Sequence, residues 1–152
     1  ICENNLYSVY SSLKDRQPKN RKIYQMIKSL GANSSICNGN NAVECYKSIS
    51  KAYNYVKSKS KPFFLECKTY RFLEHCGPNN DDHLNYRPSK QIKDWEKNDP
   101  IIKINKIVEK KFSKSKLISI ENKVKKEIEA AFNFAKKSPF PSEIEAYKGN
   151  YA

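Results

Sequence analysis

The sequence predicts an α/β fold: half of a doubly wound parallel sheet followed by C-terminal helices. Three observations predict it. Strand and helix signals alternate through the first two-thirds of the chain. A long polar stretch then breaks that alternation after the third strand signal. The last third carries helical periodicity alone.

Each element has its own residues. Ile1-Cys2-Glu3 reads as the end of a buried strand. Ile23, Tyr24, Ile27 and Leu30 recur at helical spacing within Arg21 to Leu30, and Gly31 supplies the stop. Ser35-Ile36-Cys37 is a short strand closed by an Asn38-Gly39 turn. Asn41 caps a helix to about Lys57, with Val43, Tyr46, Ile49, Tyr53 and Val56 on one face. Lys57 to Lys61 alternates Lys and Ser and reads as a loop. Pro62 then precedes the strand Phe63 to Thr69. The β-α-β-α-β order requires a parallel sheet, because parallel strands need long crossovers. Residues 70–87 hold Gly77, Pro78, both histidines, and several Asn and Asp; so polar a stretch is predicted to be a loop outside the core. Long loops in compact domains are commonly functional. A short helix runs from Ser89 through Trp95. Asp99-Pro100 opens another to Phe112, and a longer one covers Ser119 to Lys137 with Ile120, Val124, Ile128, Ala131, Phe132 and Ala135 on one stripe, ended by Pro139 and Pro141. The expected organisation is one domain, 1–152. Residues 1–87 carry the sheet and a functional loop, and 88–152 form a helical region.

Composition narrows the classes. The 152 residues are 38% hydrophobic and 30% charged, with a formal net charge of +13, and mean hydropathy is −0.83. A chain of this size buries roughly two-thirds of its unfolded surface, so the core must be lean. A strongly basic chain raises nucleic acid or an anionic membrane surface as partners. Here the lysines are dispersed along the chain and over helix faces, such as Lys103, Lys106, Lys110 and Lys111, which describes a solvated surface better than a dedicated patch. Neither nucleic acid nor membrane is therefore expected as a partner. The five cysteines are odd in number and lack CxxC spacing, which predicts reduced thiols and a cytoplasmic location (mitochondrial matrix or plastid in a eukaryote). No apolar run approaches the ~20 residues of a membrane span. The abrupt start, without Met, reads as a piece of a longer chain.

Four clusters carry candidate chemistry. Glu3-Asn4-Asn5-Leu6-Tyr7 follows a strand end, where open parallel sheets bind ligands; an Asn side-chain oxygen and a backbone carbonyl two residues on can face one hard cation such as magnesium, although on spacing alone two adjacent asparagines are more often an ordinary turn. Arg71 and His75, after the third strand, can engage one anion, or form a surface pair and an exposed histidine. Asp81-Asp82-His83 lacks the geometry for one metal ion and suits Asp–Arg pairs that tie the loop. His75-Cys76 are neighbours in sequence, which does not make a thiol nucleophile.

Taken together, these segments resemble the alpha subunit of thiamine diphosphate-dependent 2-oxo acid dehydrogenases, in its C-terminal half. That family carries a split signature whose closing half is Asn-Asn at a strand end, and Cys2-Glu3-Asn4-Asn5-Leu6-Tyr7 is similar to it. Asn38-Gly39-Asn40-Asn41 resembles the family's Asp-Gly-Asn-Asp turn. Thr69-Tyr70-Arg71 with His75, then Tyr86-Arg87, Trp95, Asp99-Pro100-Ile101 and the terminal helix ending in Ser138-Pro139 follow in the family's order.

The resemblance implies a thiamine diphosphate-binding fold and the cofactors thiamine diphosphate and magnesium. Asn5 would ligate magnesium through its side-chain oxygen and Tyr7 through its backbone carbonyl. His75 would be the catalytic loop histidine, meeting the diphosphate side and donating a proton as the acyl group leaves. Arg71 belongs to the implied cofactor-binding set with Asn5, Tyr7 and His75; Arg71 and Arg87 would also order the loop against Asp81 and Asp82. The implied activity is cleavage of a 2-oxo acid and passage of the acyl unit to lipoamide. The implied partners are a beta subunit, in a heterotetramer of two alpha and two beta subunits, and a lipoyl-bearing acyltransferase. The sequence departs from the pattern at Asn38 and Asn41, which replace aspartates, at Cys76, where several relatives carry a regulatory serine, and in a longer loop between His75 and Tyr86. Two other readings stand beside this one. One is a thiamine diphosphate enzyme with a sugar acceptor, and the other is a basic non-enzymatic binding domain.

Overall fold

The computed structural model describes residues 1–149. In chain order, β1 (Cys2–Asn4) leads to a small hairpin of β2 (Tyr7–Ser8) and β3 (Ser11–Ser12), the single turn α1 (Leu13–Arg16) and the helix α2 (Ile23–Ser29). Then come β4 (Asn33–Asn38), α3 (Ala42–Lys59) and β5 (Phe63–Lys68). The predicted parallel sheet is present, three-stranded in the order β1-β5-β4. The central β5 pairs with both neighbours, with Glu66 opposite Cys2 on one side and Ile36 on the other. The parallel β4–β5 pair is joined by the eighteen-residue α3, the long crossover such a pair requires.

Local chemistry sets the joints. The predicted cap of α3 is observed: Asn41 Oδ1 accepts from Glu44 N at 3.1 Å, while Glu44 Oε1 accepts from Asn38 N at 2.8 Å. Asn41→Ala in the full-length protein is expected to lower stability by about 1 kcal/mol, read as a lower urea midpoint with an unchanged slope. Gly39 permits a close approach at the carboxyl ends of β4 and β5. Its N–H donates to Lys68 O at 2.7 Å, and a Cβ there would lie 2.4 Å from Thr69 Cγ2.

The core is as lean as the composition predicts. Cys37, Leu65 and Cys67 form its buried centre, with Cys45 and Phe63 packed against it, and the Sγ atoms of Cys37 and Cys67 lie 3.5 Å apart. The apolar stripe of α3 is largely uncovered, with Tyr46 75% and Tyr53 62% exposed.

Beyond β5 the predicted 70–87 loop contains one 3-10 turn (Asp82–Leu84), then α4 (Ser89–Glu96) and α5 (Pro100–Val108). Asp99 Oδ1 accepts from Ile101 N at 2.7 Å, the N-terminal cap its position predicted. The sequence extends α5 to Phe112, whereas the helix ends at Val108. The last helix, α6 (Lys114–Lys137), begins five residues before the predicted Ser119, capped by Ser113, whose Oγ accepts from Lys116 N at 3.3 Å. Its first turn is Lys- and Ser-rich, so apolar periodicity could not mark it. A second 3-10 turn (Glu143–Tyr147) follows. The chain packs as two compact units, Ile1–Ile107 and the part from Val108 onward. Within the first unit α4 packs on the loop after β5, where Trp95 stacks on Tyr70 at 5.2 Å.

One expectation needs correcting. The 70–87 segment is a loop, but part of it is core. Tyr70, Asp81 and Arg87 are all buried. Burial of charge is tolerated there because the acid and base neutralise each other and carry further hydrogen bonds.

Candidate active site

The site is built where β1 ends, at the carboxyl edge of the parallel sheet. Asn4 is held three ways. Its Nδ2 donates to Glu66 Oε1 at 2.7 Å, its Oδ1 accepts from Leu6 N at 3.2 Å, and its carbonyl accepts from Thr69 N at 3.0 Å. The chain then turns sharply through Leu6, whose φ is +71°. Asn5 Oδ1 accepts from Tyr7 N at 3.1 Å, so the Asn-Asn pair forms a turn that brings Asn5 and Tyr7 to one corner. Val9, in the tip of the β2–β3 hairpin, has φ of +55°, a costly conformation for a β-branched residue. Strained backbone therefore flanks the Asn-Asn pair on its C-terminal side.

The loop after β5 clamps that hairpin. Arg71 Nη2 donates to Val9 O at 3.1 Å and to Tyr86 Oη at 2.8 Å, and lies 4.0 Å from Asp81 Oδ2. Tyr86 Oη in turn donates to Asp81 Oδ2 at 2.7 Å. Burial and that carboxylate push the Tyr86 phenol up to about 12, which keeps its donor proton in place. Arg87 closes the network: it donates to Arg71 O at 2.5 Å, to Asp82 Oδ1 at 2.7 Å and to Asp81 Oδ1, with its guanidinium 5.0 Å from the Tyr86 ring centre and 5.6 Å from that of Tyr70. The Tyr86 ring packs edge-on against Tyr7 and Tyr10. The predicted Arg–Asp tie of the loop is thus observed in detail.

Placement of the predicted residues is uneven. Asn5, Tyr7 and Arg71 belong to one connected structure, with Arg71 joined to the hairpin through Val9 and Tyr86. His75 is exposed and makes no hydrogen bond or ion pair among the described residues. The Tyr7 phenol donates to Gln91 Oε1 of α4 at 2.5 Å and is raised by burial, so its side chain anchors α4. A cavity of about 370 Å³ opens beside the corner, lined by Leu6, Tyr7, Lys14, Lys19, Arg21 and Tyr86. A larger one of about 630 Å³, lined by Asn38, Lys68 and Trp95 among others, contains no predicted site residue. The smaller cavity is the better candidate because it touches the corner and is rimmed by three cationic side chains, which suit a phosphorylated ligand.

The donor set fits magnesium in part. The corner offers oxygens only, one amide and one carbonyl, which is what a hard cation takes. No group of three or more His, Cys, Asp or Glu among the described residues could hold a metal ion, and these two oxygens alone would not complete an octahedral shell. Reading the sequence missed Glu66 and Gln91 as parts of this structure, and marked Tyr86 without its role as a donor to Asp81. Glu66 had a signal: a carboxylate inside the apolar run Phe64-Leu65-Glu66-Cys67 must find donors when the strand is buried.

The chain is similar to the pyruvate dehydrogenase E1 component subunit alpha of Rickettsia bellii, 35% identical over 99% of this chain and 46% of that protein. The corresponding protein of Rickettsia felis is 33% identical over the same shares, and that of Zymomonas mobilis 24% identical over 97% of this chain and 41% of that protein. The chain therefore spans about half the length of the curated relatives it matches. The dehydrogenase E1 component family matches residues 1–144, and with the parallel sheet and its Asn-Asn corner in place, the chain belongs to that family.

Proposed function

We propose that the complete protein is the alpha subunit of a 2-oxo acid dehydrogenase that uses thiamine diphosphate and magnesium, works with a beta subunit in a heterotetramer, and passes the acyl unit to a lipoyl-bearing acyltransferase. The observation that carries the reading is the Asn4–Asn5 corner at the carboxyl edge of the parallel sheet, in a chain of the E1 family. Thiamine diphosphate, when bound, supplies an electron sink for the pair released with carbon dioxide.

The chain's own residues bind and orient. Asn5 contributes its side-chain oxygen and Tyr7 its backbone carbonyl to magnesium. Arg71 brings its charge to the diphosphate side and pins the hairpin through Val9. His75 reaches the site from its loop and carries the proton that the departing acyl group requires. The Tyr86–Asp81–Arg87 network ties that loop to the hairpin through Arg71. The odd number of cysteines and their lack of CxxC spacing support a reducing compartment, the cytoplasm or, in a eukaryote, the mitochondrial matrix or plastid.

The test uses the full-length subunit assembled with its beta partner. Carbon dioxide release from a panel of 2-oxo acids should require both thiamine diphosphate and magnesium, and a lipoyl domain should gain the acyl mass. Carbon dioxide release with transfer to an aldose and none to lipoyl would assign the sugar-acceptor reading instead. Residues 1–152 alone supply only part of the metal shell, so calorimetry on them with thiamine diphosphate and magnesium should show no tight site; micromolar binding would contradict this placement.

A further inference from the structure

We infer that Glu66 is a positioning residue for the metal-binding corner, acting through Asn4 and never touching the metal itself. The inference rests on the reading that Asn5 holds magnesium.

Glu66 lies in the middle of the central strand and is 4% exposed. Among the described residues no ion pair reaches it. Each oxygen instead takes one neutral donor from a different element: Oε1 accepts from Asn4 Nδ2 at 2.7 Å, and Oε2 accepts from Tyr24 N at 3.0 Å. Tyr24 is the second residue of α2, whose own N-cap residue, Lys22, makes no side-chain cap. A carboxylate from across the sheet therefore caps α2 and, with its other oxygen, fixes the Asn4 amide.

The consequence for the corner follows from the polarity of that amide. With Nδ2 committed to Glu66, Oδ1 faces the other way and accepts from Leu6 N. That bond draws Leu6 into its positive-φ turn, an unfavourable conformation for leucine that needs support from outside the residue. The turn at Leu6 in turn brings Asn5 Oδ1 and the Tyr7 backbone together. The two asparagines have divided roles: Asn5 meets the metal, while Asn4 transmits the orientation that Glu66 imposes.

The polarity can be reversed. In Glu66→Gln, one side-chain oxygen can still accept from Tyr24 N, but the new amide nitrogen then faces Asn4 Nδ2, donor against donor. Asn4→Asp alone sets two carboxylates together. With both substitutions present, the amide introduced on β5 can donate to one oxygen of the carboxylate introduced on β1. The second oxygen of that carboxylate still accepts from Leu6 N, so every hydrogen bond returns with one of them reversed.

The experiment measures manganese binding, as a stand-in for magnesium, by electron paramagnetic resonance in the presence of thiamine diphosphate, on the full-length subunit assembled with its beta partner. Turnover at saturating metal and thermal melting are followed in parallel. Each single variant should weaken manganese affinity by about tenfold, the lower end of what outer-shell changes cost, with turnover largely restored at saturating metal. The double variant should recover most of that affinity. Unchanged affinity in Glu66→Gln with a lower melting temperature would make Glu66 a stability residue alone and overturn the inference. Losses that add in the double variant would overturn it as well. Asn5→Ala is run beside these: if it leaves manganese affinity intact, the metal reading and this inference fall together, whereas a weakened Asn5→Ala with a normal Glu66→Gln removes the inference only.

Discussion

Arg87→Ala in the full-length subunit is expected to cost about 3–5 kcal/mol, the usual range for removing one partner of a buried ion pair. The guanidinium is almost wholly buried, with only 1% of its side chain exposed, against 3% for Asp81. Its loss leaves the Asp81 carboxylate in the interior with Tyr86 as its hydrogen-bond donor and Arg71, 4.0 Å away, as its nearest remaining cation. It also frees Arg71 O and Asp82 Oδ1. The 70–87 loop should therefore open as a unit, and His75 with it. Amide exchange in the assembled enzyme should show loss of protection across the loop, while β4 and β5 keep theirs. Arg87→Lys should be intermediate, because an ammonium replaces a planar fork that serves three acceptors. Once Arg87 is gone, adding Asp81→Asn should recover stability, since it removes the stranded charge; a further loss of equal size would mean that the two residues act independently. Retained protection in Arg87→Ala would show that the loop is held by its aromatic contacts alone.

Asn5→Ala should have the largest effect on the metal. Magnesium demands near-octahedral oxygen coordination and replaces a lost ligand poorly. A loss of one to two orders of magnitude in metal-dependent cofactor affinity is expected, since removing a direct ligand should cost at least what outer-shell changes do. Tyr7→Phe separates backbone from side chain. It keeps the carbonyl assigned to the metal and removes only the donor to Gln91 Oε1, so it should cost about 1 kcal/mol of stability and leave metal affinity unchanged. Calorimetric titration of the assembled enzyme with thiamine diphosphate at several magnesium concentrations distinguishes the two. Equal damage from both substitutions would give the phenol a role at the metal and remove the carbonyl assignment.

Much of this was legible because local rules and tertiary structure agree. The alternation that ends in Phe63 to Thr69 pointed to the parallel sheet, and Asn41 and Asp99 announced their caps. The Asn-Asn pair after a strand end announced a turn, which is there, and the nearby Arg and Asp residues announced the clamp. What escaped depends on distant pairing. The β2–β3 hairpin has no glycine and turns through Val9 at positive φ, which no propensity predicts; Arg71, sixty-two positions away, holds its carbonyl. Burial of Asp81 was likewise invisible, since in sequence it lies in a run of Asn and Asp that reads as solvent-exposed. The stripes on α3 and α6 were correctly placed on helices, yet periodicity states only that a face is apolar and cannot say whether anything covers it.

The strand order also sets a timetable during synthesis. Among the described residues β1 and β4 each have β5 as their one ladder partner, and β5 is the last of the three to be made. Neither β1 nor β4 can therefore form its ladder with β5 until Phe63 to Lys68 has left the ribosome. At roughly 5–20 residues per second, the chain between Asn4 and Lys68 takes on the order of 3–13 s to emerge. Through that interval the Asn4 amide waits without its carboxylate, and the first turn of α2 waits without its cap. The arrival of one acid from β5 then satisfies both at once, so the earliest-made part of the corner is among the last to acquire its native shape.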